Sequence, residues 1–258
     1  MLDLLLCECL KLKRKRLFKT AAFTSVIFPI LFASFTSSDD FDDMVTIVRE
    51  FSGFLLLIPL LVILAANLFF GEHDNNTLKN LVCIPVSKSS LVLVKVFVLF
   101  LFSITYELIG FIITVLLAVF QKVPFLTDWG MQLILTLGTG ALLWAAVLPC
   151  MILVIWSNKS YIISVIISFF YTVLNYLFTL SDAVMMQPLG LHTGTLMPVP
   201  MIFRWLYQYH VPQGELMTSF YRRFSPYFAS PLICFGVLGA EAALCILLIC
   251  RIYQRQEI

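Results

Sequence analysis

The sequence predicts an all-α integral membrane protein: six transmembrane helices preceded by an amphipathic interfacial helix, with both termini on the cytoplasmic side. Three observations carry that expectation. Of the 258 residues, 60% are hydrophobic and 12% charged, against roughly 45–50% and ~25% in soluble domains. The apolar residues fall in runs at about 20–36, 51–70, 91–120, 131–156, 161–181 and 232–250, lengths suited to the about 20 residues a helix needs to cross a bilayer. Finally, those runs divide the 17 Lys and Arg unequally, twelve on one side and five on the other. The richer side holds the cluster at residues 11–19, Lys79, Lys88, Lys95, Lys159, Arg251 and Arg255. The poorer side holds Arg49, Lys122, Arg204, Arg222 and Arg223 and also Asp39, Asp40, Asp42 and Asp43. The positive-inside rule therefore places the richer side in the cytoplasm.

Residues 1–18 are too charged to span. At about 100° per residue, Leu2, Leu5, Leu6, Cys9, Leu10 and Leu12 share a helical face, with Asp3, Glu8, Lys11, Arg14 and Lys15 opposite. Leu4 breaks this pattern and Lys13 has to snorkel. Such a helix lies in the interface, its basic end held by anionic lipid. The basic cluster leads into a full-length span with no small-residue cleavage site, so the first span is expected to be retained. The seven cysteines avoid the loops assigned to the outside, and no disulfide framework is indicated. Cys7-x-Cys9 lacks neighbouring ligands for a metal.

The third span is long. At 1.5 Å per residue it extends about 45 Å, beyond a ~30 Å hydrocarbon core, so its start near Ser90–Lys95 is expected to project into the cytoplasm. Residues 182–231 contain Pro188, Pro198, Pro200, Pro212, Pro226 and Pro231 and cannot be one regular span. They are nonetheless apolar and aromatic, and Trp205, Tyr207 and Tyr209 suit the headgroup region. This predicts an outer loop of short interfacial or re-entrant helices.

Between the second and third spans, residues 71–90 form a polar, turn-rich segment. Asn75, Asn76 and Thr77 offer N-caps for a short helix Leu78–Cys83, Pro85 ends it, and Ser87, Ser89 and Ser90 can cap the next span. A bare connector needs far less, as "SNKS" at 157–160 illustrates. A short capped cytoplasmic helix suggests a docking surface.

Glu72, Thr77-Leu78-Lys79-Asn80-Leu81, Pro85-x-Ser87-Lys88 and Lys95 resemble the first cytoplasmic loop of type-2 ABC exporter permeases. The likeness extends to six spans, a leading interfacial helix and an outer loop before the last span. Size and spacing look closest to the small permease subunits of lantibiotic or bacitracin immunity and resistance transporters. The resemblance implies that the loop is a coupling helix seated in a cytoplasmic ATPase, with Glu72, Thr77, Leu78, Lys79, Leu81, Pro85, Ser87 and Lys88 as coupling residues. "HDNN" precedes Thr77 where the family commonly has a glycine, so the resemblance does not fix the helix register. It further implies a second copy or a homologous permease as partner, contact with lipid rather than nucleic acid, a bacterial plasma membrane, and export or extraction of an amphipathic substrate such as a peptide antibiotic.

No G-x-x-x-x-G-K-[ST] occurs, so nothing in the chain is built to cradle nucleotide phosphates. The chain is expected to hold no cofactor and to be no enzyme, with ATP and Mg belonging to the partner ATPase. An intramembrane hydrolase would need clustered His, Glu or Asp. His73, His192 and His210 fall in expected loops, H-E-x-x-H is absent, and Glu107 and Glu241 are the acids expected deep in spans. A carboxyl facing lipid is costly, so each should face the bundle, a seam or a wet cavity. Two roles are open for them: lining a substrate path, or bonding a neighbouring helix through Asn67, Asn175 or a hydroxyl. The alternative of another class is an ATPase-independent secondary transporter or a membrane-embedded accessory protein; Pro29, Pro59 and Pro149 interrupt spans without the repeated halves such transporters often show.

Overall fold

The computed structural model describes residues 2–35, 40–74, 87–124, 129–157, 161–210 and 215–255, all helical or in short connections. Helix α1 is Leu2–Arg14 and α2 is Arg16–Phe35. Helix α3 (Phe41–Val48) continues through a π-helical stretch, Arg49–Leu57, into α4 (Ile58–Asp74). Then follow α5 (Lys88–Gln121), α6 (Trp129–Ser157) and α7 (Tyr161–Thr179). Four short helices come next: α8 (Asp182–Met185), α9 (Thr193–Leu196), α10 (Pro198–Leu206) and α11 (Glu215–Phe224). Helix α12 (Pro231–Arg255) completes the described chain. Six helical segments are long and apolar enough to cross a membrane: α2, continuous α3–α4, α5, α6, α7 and α12. The chain is a multi-pass integral membrane protein with an additional short N-terminal helix.

Helix α6 is the hub, packing on α4, α5, α7 and α12. Helix α7 shows how the bundle is organised for lipid. Its buried face is Ser164, Ser168, Thr172 and Asn175, and its exposed face includes Ile162, Ile166, Phe169, Phe170 and Leu177. In water this pattern would be inverted. In a bilayer, small polar residues let helices approach and bond, whereas large apolar side chains meet lipid.

The second span departs from the expected start at residue 51, because its helix begins at Phe41. Asp40 caps it, its Oδ1 accepting from the Asp42 amide at 3.2 Å, and Asp42 and Asp43 favour the positive helix N-terminus. Arg49 and Glu50, which made this stretch look like a loop, are carried inside the helix. Consequently Asp42, Asp43 and Glu50 join Glu107 and Glu241 within candidate spans, correcting the shorter inventory of acids. The π-helical register ends just before Pro59. A proline has no N–H to donate and its ring crowds the carbonyl four residues back, here Leu55; a widened turn accommodates both.

The N-terminal helix is also reorganised. It ends at Arg14, and Lys15, whose amide donates to Leu12 O at 2.9 Å, marks the bend before α2. Glu8, placed on the polar face by the helical wheel, is buried and accepts from Lys11 Nζ at 2.5 Å. Leu12 is buried with it, and Leu4 packs on the core, whereas Leu6 and Leu10 are exposed. The helix thus leans on α5 and α2 along Leu5, Glu8, Cys9 and Leu12 and leaves a second apolar edge outward.

At this end of the bundle the polar side chains are structural ties. Lys15 Nζ donates to Asn67 O at 3.1 Å and also to the Asn67 side chain. Lys95 is fully buried despite its expected place on a projecting helix start. Its Nζ donates to Leu68 O at 2.8 Å and lies 5.0 and 5.7 Å from the ring centres of Phe69 and Tyr253. Gln254 Nε2 donates to Ser89 Oγ at 2.7 Å. Ser87 is the N-cap of α5, its Oγ accepting from the Ser90 amide at 3.2 Å; the 34-residue helix is stopped by Lys122 in the left-handed conformation, φ 59°. Of the expected coupling residues, Ser87 and Lys88 therefore open α5 and Glu72 belongs by its backbone to the end of α4. Thr77, Leu78, Lys79, Leu81 and Pro85 lie outside the described residues.

Candidate functional site

At the opposite end, the π-helical stretch turns charged side chains inward. Arg49 is only 6% exposed. Its Nη2 donates to Gln132 Oε1 at 2.7 Å and reaches Thr136 Oγ1 at 3.5 Å, both on α6, while its Nε has no partner among the described residues. Gln132 in turn donates from Nε2 to Asp42 Oδ1. A chain of polar groups thus runs from the top of α3 through α6 back to the π-helical turn.

Glu107 sits on α5 one layer away, also 6% exposed. Its Oε1 has no partner among the described residues. The carboxyl fits because two glycines make room. A Cβ on Gly53 would come within 2.7 Å of Glu107 Oε1, and one on Gly140 would lie 3.4 Å from Glu107 Cγ and 3.1 Å from Ile104 Cα. Ser103 Oγ donates to Gly140 O at 2.7 Å across the same crossing, and Ser52 Oγ lies 3.4 Å from Tyr106 OH. Two clefts share Arg49 as a wall. The first, of about 20 Å³, lies between the π-helical turn and the segment that joins α7 to α12 and includes Asp42, Glu50, Phe54, Phe203, Tyr207 and His210. The inner, of about 10 Å³, room for about one water, includes Val48, Ser52, Glu107, Phe111, Thr114 and Thr136.

The segment that joins α7 to α12 is held by Arg204, which is 0% exposed. One guanidinium nitrogen, Nη2, donates to the carbonyls of Val184, Met185 and Gln187 at 3.0, 2.9 and 3.0 Å, and Gly194 allows the approach, since a Cβ there would lie 2.9 Å from that nitrogen. Burial lowers the Arg204 pKa from its ordinary value. Past α10, the chain presents His210 to α3. Its Nδ1 is 2.9 Å from Asp42 Oδ2 and its Nε2 is 3.7 Å from Asp43 Oδ1. The hydrogen bond that His210 donates to Asp42 raises the His210 pKa; desolvation opposes it, and the charges of Asp42, Asp43 and Glu50 add to the rise. His210 is therefore a latch between the α7–α12 segment and the second span.

The three aromatics expected at headgroup level differ in placement. Trp205 is buried, its ring packed on Tyr209 and Phe235 and over Gly138, where a Cβ would meet it at 2.7 Å. Tyr207 and Tyr209 are half-buried, and Tyr207 anchors a cluster with Phe220, Tyr221 and Phe224. Trp205 is thus a packing residue, because α10 lies down on α6 and α7.

Glu107 and Glu241 are not brought together. Glu241 is half-buried on α12, on the side of Tyr171, and makes no hydrogen bond or ion pair among the described residues. The interhelical bonds expected for the two acids are not those found. Asn67 is engaged by Lys15, and Asn175 donates to Tyr171 O at 3.0 Å. Arg49, Glu50, Asp42, Gln132 and His210 were not singled out from sequence as site residues. The available signal was "DDFDD" followed by a lone Arg-Glu pair directly preceding an apolar run, read as a loop.

The profile of ABC-2 family transporter proteins matches residues 4–175 of the chain, from α1 to near the end of α7. The chain belongs to the ABC-2 transporter family. Members are non-catalytic membrane permeases, and among the described residues no cluster of His, Cys, Asp or Glu is arranged to hold a metal. The permease is accordingly a membrane component of a transport system. Among curated protein sequences none matches it. Glu107, Arg49 and Gln132 lie within the matched segment, whereas Arg204, His210 and Glu241 lie beyond it.

Proposed function

We propose that this permease is the membrane-spanning subunit of an ABC exporter, moving or extracting an amphipathic substrate such as a peptide antibiotic under the power of a separate cytoplasmic ATPase. The observation that carries the reading is a six-span ABC-2 family chain whose sequence has no phosphate-cradling loop. The charge asymmetry supports cytoplasmic termini and a cytoplasmic segment at 71–90. That segment, with Glu72, Thr77, Leu78, Lys79, Leu81, Pro85, Ser87 and Lys88, is the docking element for the ATPase, which supplies ATP and Mg. The ties at Lys15, Lys95 and Gln254 bind the flanking helix ends to α1 and α12, so movement imposed on the loop would reach four helices at once. A second copy or a homologous permease completes the pathway in a bacterial plasma membrane. Glu107, in the inner cleft, lines the path; Glu241, half-buried on α12, serves at a helix or partner seam.

The test replaces Leu78 and Leu81 together by Asp, which puts charge on an apolar docking face without touching a span. ATPase co-purification should fall to background while the permease remains in the membrane. Undiminished co-purification would remove the docking assignment.

A further inference from the structure

We propose that the inner cleft binds a single water molecule, which bridges Arg49 to Glu107 and so ties the second span to α5. Its volume, about 10 Å³, is room for one water and no more. Two of its wall residues are incomplete in a complementary way. Arg49 Nε, a donor, and Glu107 Oε1, an acceptor, are both buried and both lack a partner among the described residues. A buried donor and a buried acceptor left open are costly. The two side chains make no direct pair. The guanidinium is held by Gln132 and Thr136 on α6, and the carboxyl lies in the space that Gly53 leaves.

Water fits where other small species do not. A cation would face the Arg49 guanidinium and an anion the Glu107 carboxyl; chloride is also larger than water, and an organic group has no room. A water accepts from Arg49 Nε–H and donates one O–H to Glu107 Oε1. Its other O–H meets a hydroxyl oxygen, since Ser52, Thr114 and Thr136 line the same cleft. The two threonines already donate to Gly110 O at 2.9 Å and to Gln132 O at 2.7 Å, which leaves their oxygens as acceptors. The sum is the about three bonds usual for a buried water, and each is nearly as favourable in enthalpy as a direct bond. Arg49 thereby joins three spans, bonded directly to α6 and through water to α5. The site stands without the transport reading; on that reading, this conformation is closed at Glu107, because nothing larger than water fits beside it.

The experiment is proton-detected solid-state NMR on the full chain, with isotope-labelled arginine, in lipid bilayers. The Arg49 Nε–H, assigned by its loss in Arg49→Lys, should show a through-space cross-peak at the water frequency. That cross-peak should survive Ser52→Ala, Thr114→Val and Thr136→Val, each of which removes one hydroxyl whose proton can exchange with water. Glu107→Leu takes away the acceptor and should abolish the cross-peak, whereas Glu107→Gln keeps an acceptor and should retain it. Gly53→Ala sets a methyl group 2.7 Å from Glu107 Oε1, about the distance at which the water oxygen would bond. It keeps every charge, should weaken the cross-peak, and covers the case in which Glu107→Leu does not fold. No water-frequency cross-peak in the wild type, one that a single hydroxyl variant abolishes, or one that neither Glu107→Leu nor Gly53→Ala changes would overturn the proposal.

Discussion

Replacing Gly140 by Ala should force α5 and α6 apart at the layer of Glu107. The added Cβ would lie 3.1 Å from Ile104 Cα and 3.4 Å from both Ser103 O and Glu107 Cγ. Two of those contacts are backbone, which cannot rotate out of the way. Overpacking of this kind costs about 1–3 kcal/mol. Ala gains about 0.8–1 kcal/mol over Gly in helix propensity, which offsets part of it. Separation also weakens the Ser103 Oγ to Gly140 O bond of 2.7 Å, and interhelical bonds in membranes are worth about 0.6 kcal/mol on average. The expected net loss is about 0.6–2.8 kcal/mol by these terms. Gly236 and Gly239 on α12 provide the control, since a Cβ at either meets nothing within 4 Å; Ala there should be neutral or stabilising by up to about 1 kcal/mol. Reversible unfolding in mixed micelles titrated with dodecyl sulfate, followed by circular dichroism, measures all three. If Gly140→Ala proves as stable as Gly236→Ala, the close crossing of α5 and α6 is not a feature of the folded protein.

Arg204→Met should loosen the outer loop, because it removes three donations to the carbonyls of Val184, Met185 and Gln187; limited proteolysis within residues 182–210 should accelerate while the spans stay intact, and unchanged cleavage would contradict the anchoring role. The His210 latch should weaken with rising pH. Its folded-state pKa is raised above 6.5, so its contribution is complete below the ordinary value and is lost as pH passes the raised one. Hydrogen exchange at residues 207–210, corrected for the intrinsic pH dependence, should show the loop loosening over that window in the wild type and not in His210→Gln. Glu107→Gln should impair transport with assembly intact, whereas Glu241→Gln should change it little; the reverse ranking would move the path to α12.

What the sequence made legible follows from the length of the signal. Apolar runs of 17 to 30 residues marked six candidate spans, and the tilt of Lys and Arg toward one set of loops is the basis of the orientation proposed for them. Short charged interruptions were harder. Arg49 and Glu50 look like loop residues in isolation, and only the inward turn of the π-helical stretch, opposite Gln132 and Thr136, makes the burial of Arg49 tolerable. Glu8 was misassigned for a related reason: a helical wheel knows one helix, whereas α5 and α2 decide which face of α1 is covered. Glu107 was readable as a carboxyl that must avoid lipid, but its neighbours were not, since Gly53 and Gly140 become significant only when the helices cross. The His210–Asp42 contact joins residues far apart in the chain, and no local pattern announces it. Trp205 illustrates the converse, an aromatic-rich stretch that reads as interfacial and packs its largest ring inward.

The most direct test of the central claim, that this permease relies on another polypeptide for energy, is ATP hydrolysis by the tagged chain purified gently from native membranes. The account predicts Mg-dependent hydrolysis in the complex, none in the permease stripped of its partner, and loss of the activity from complexes carrying the Leu78→Asp and Leu81→Asp pair. Hydrolysis by the stripped permease, or an intact complex that hydrolyses no ATP and moves its substrate on an ion gradient, would contradict it.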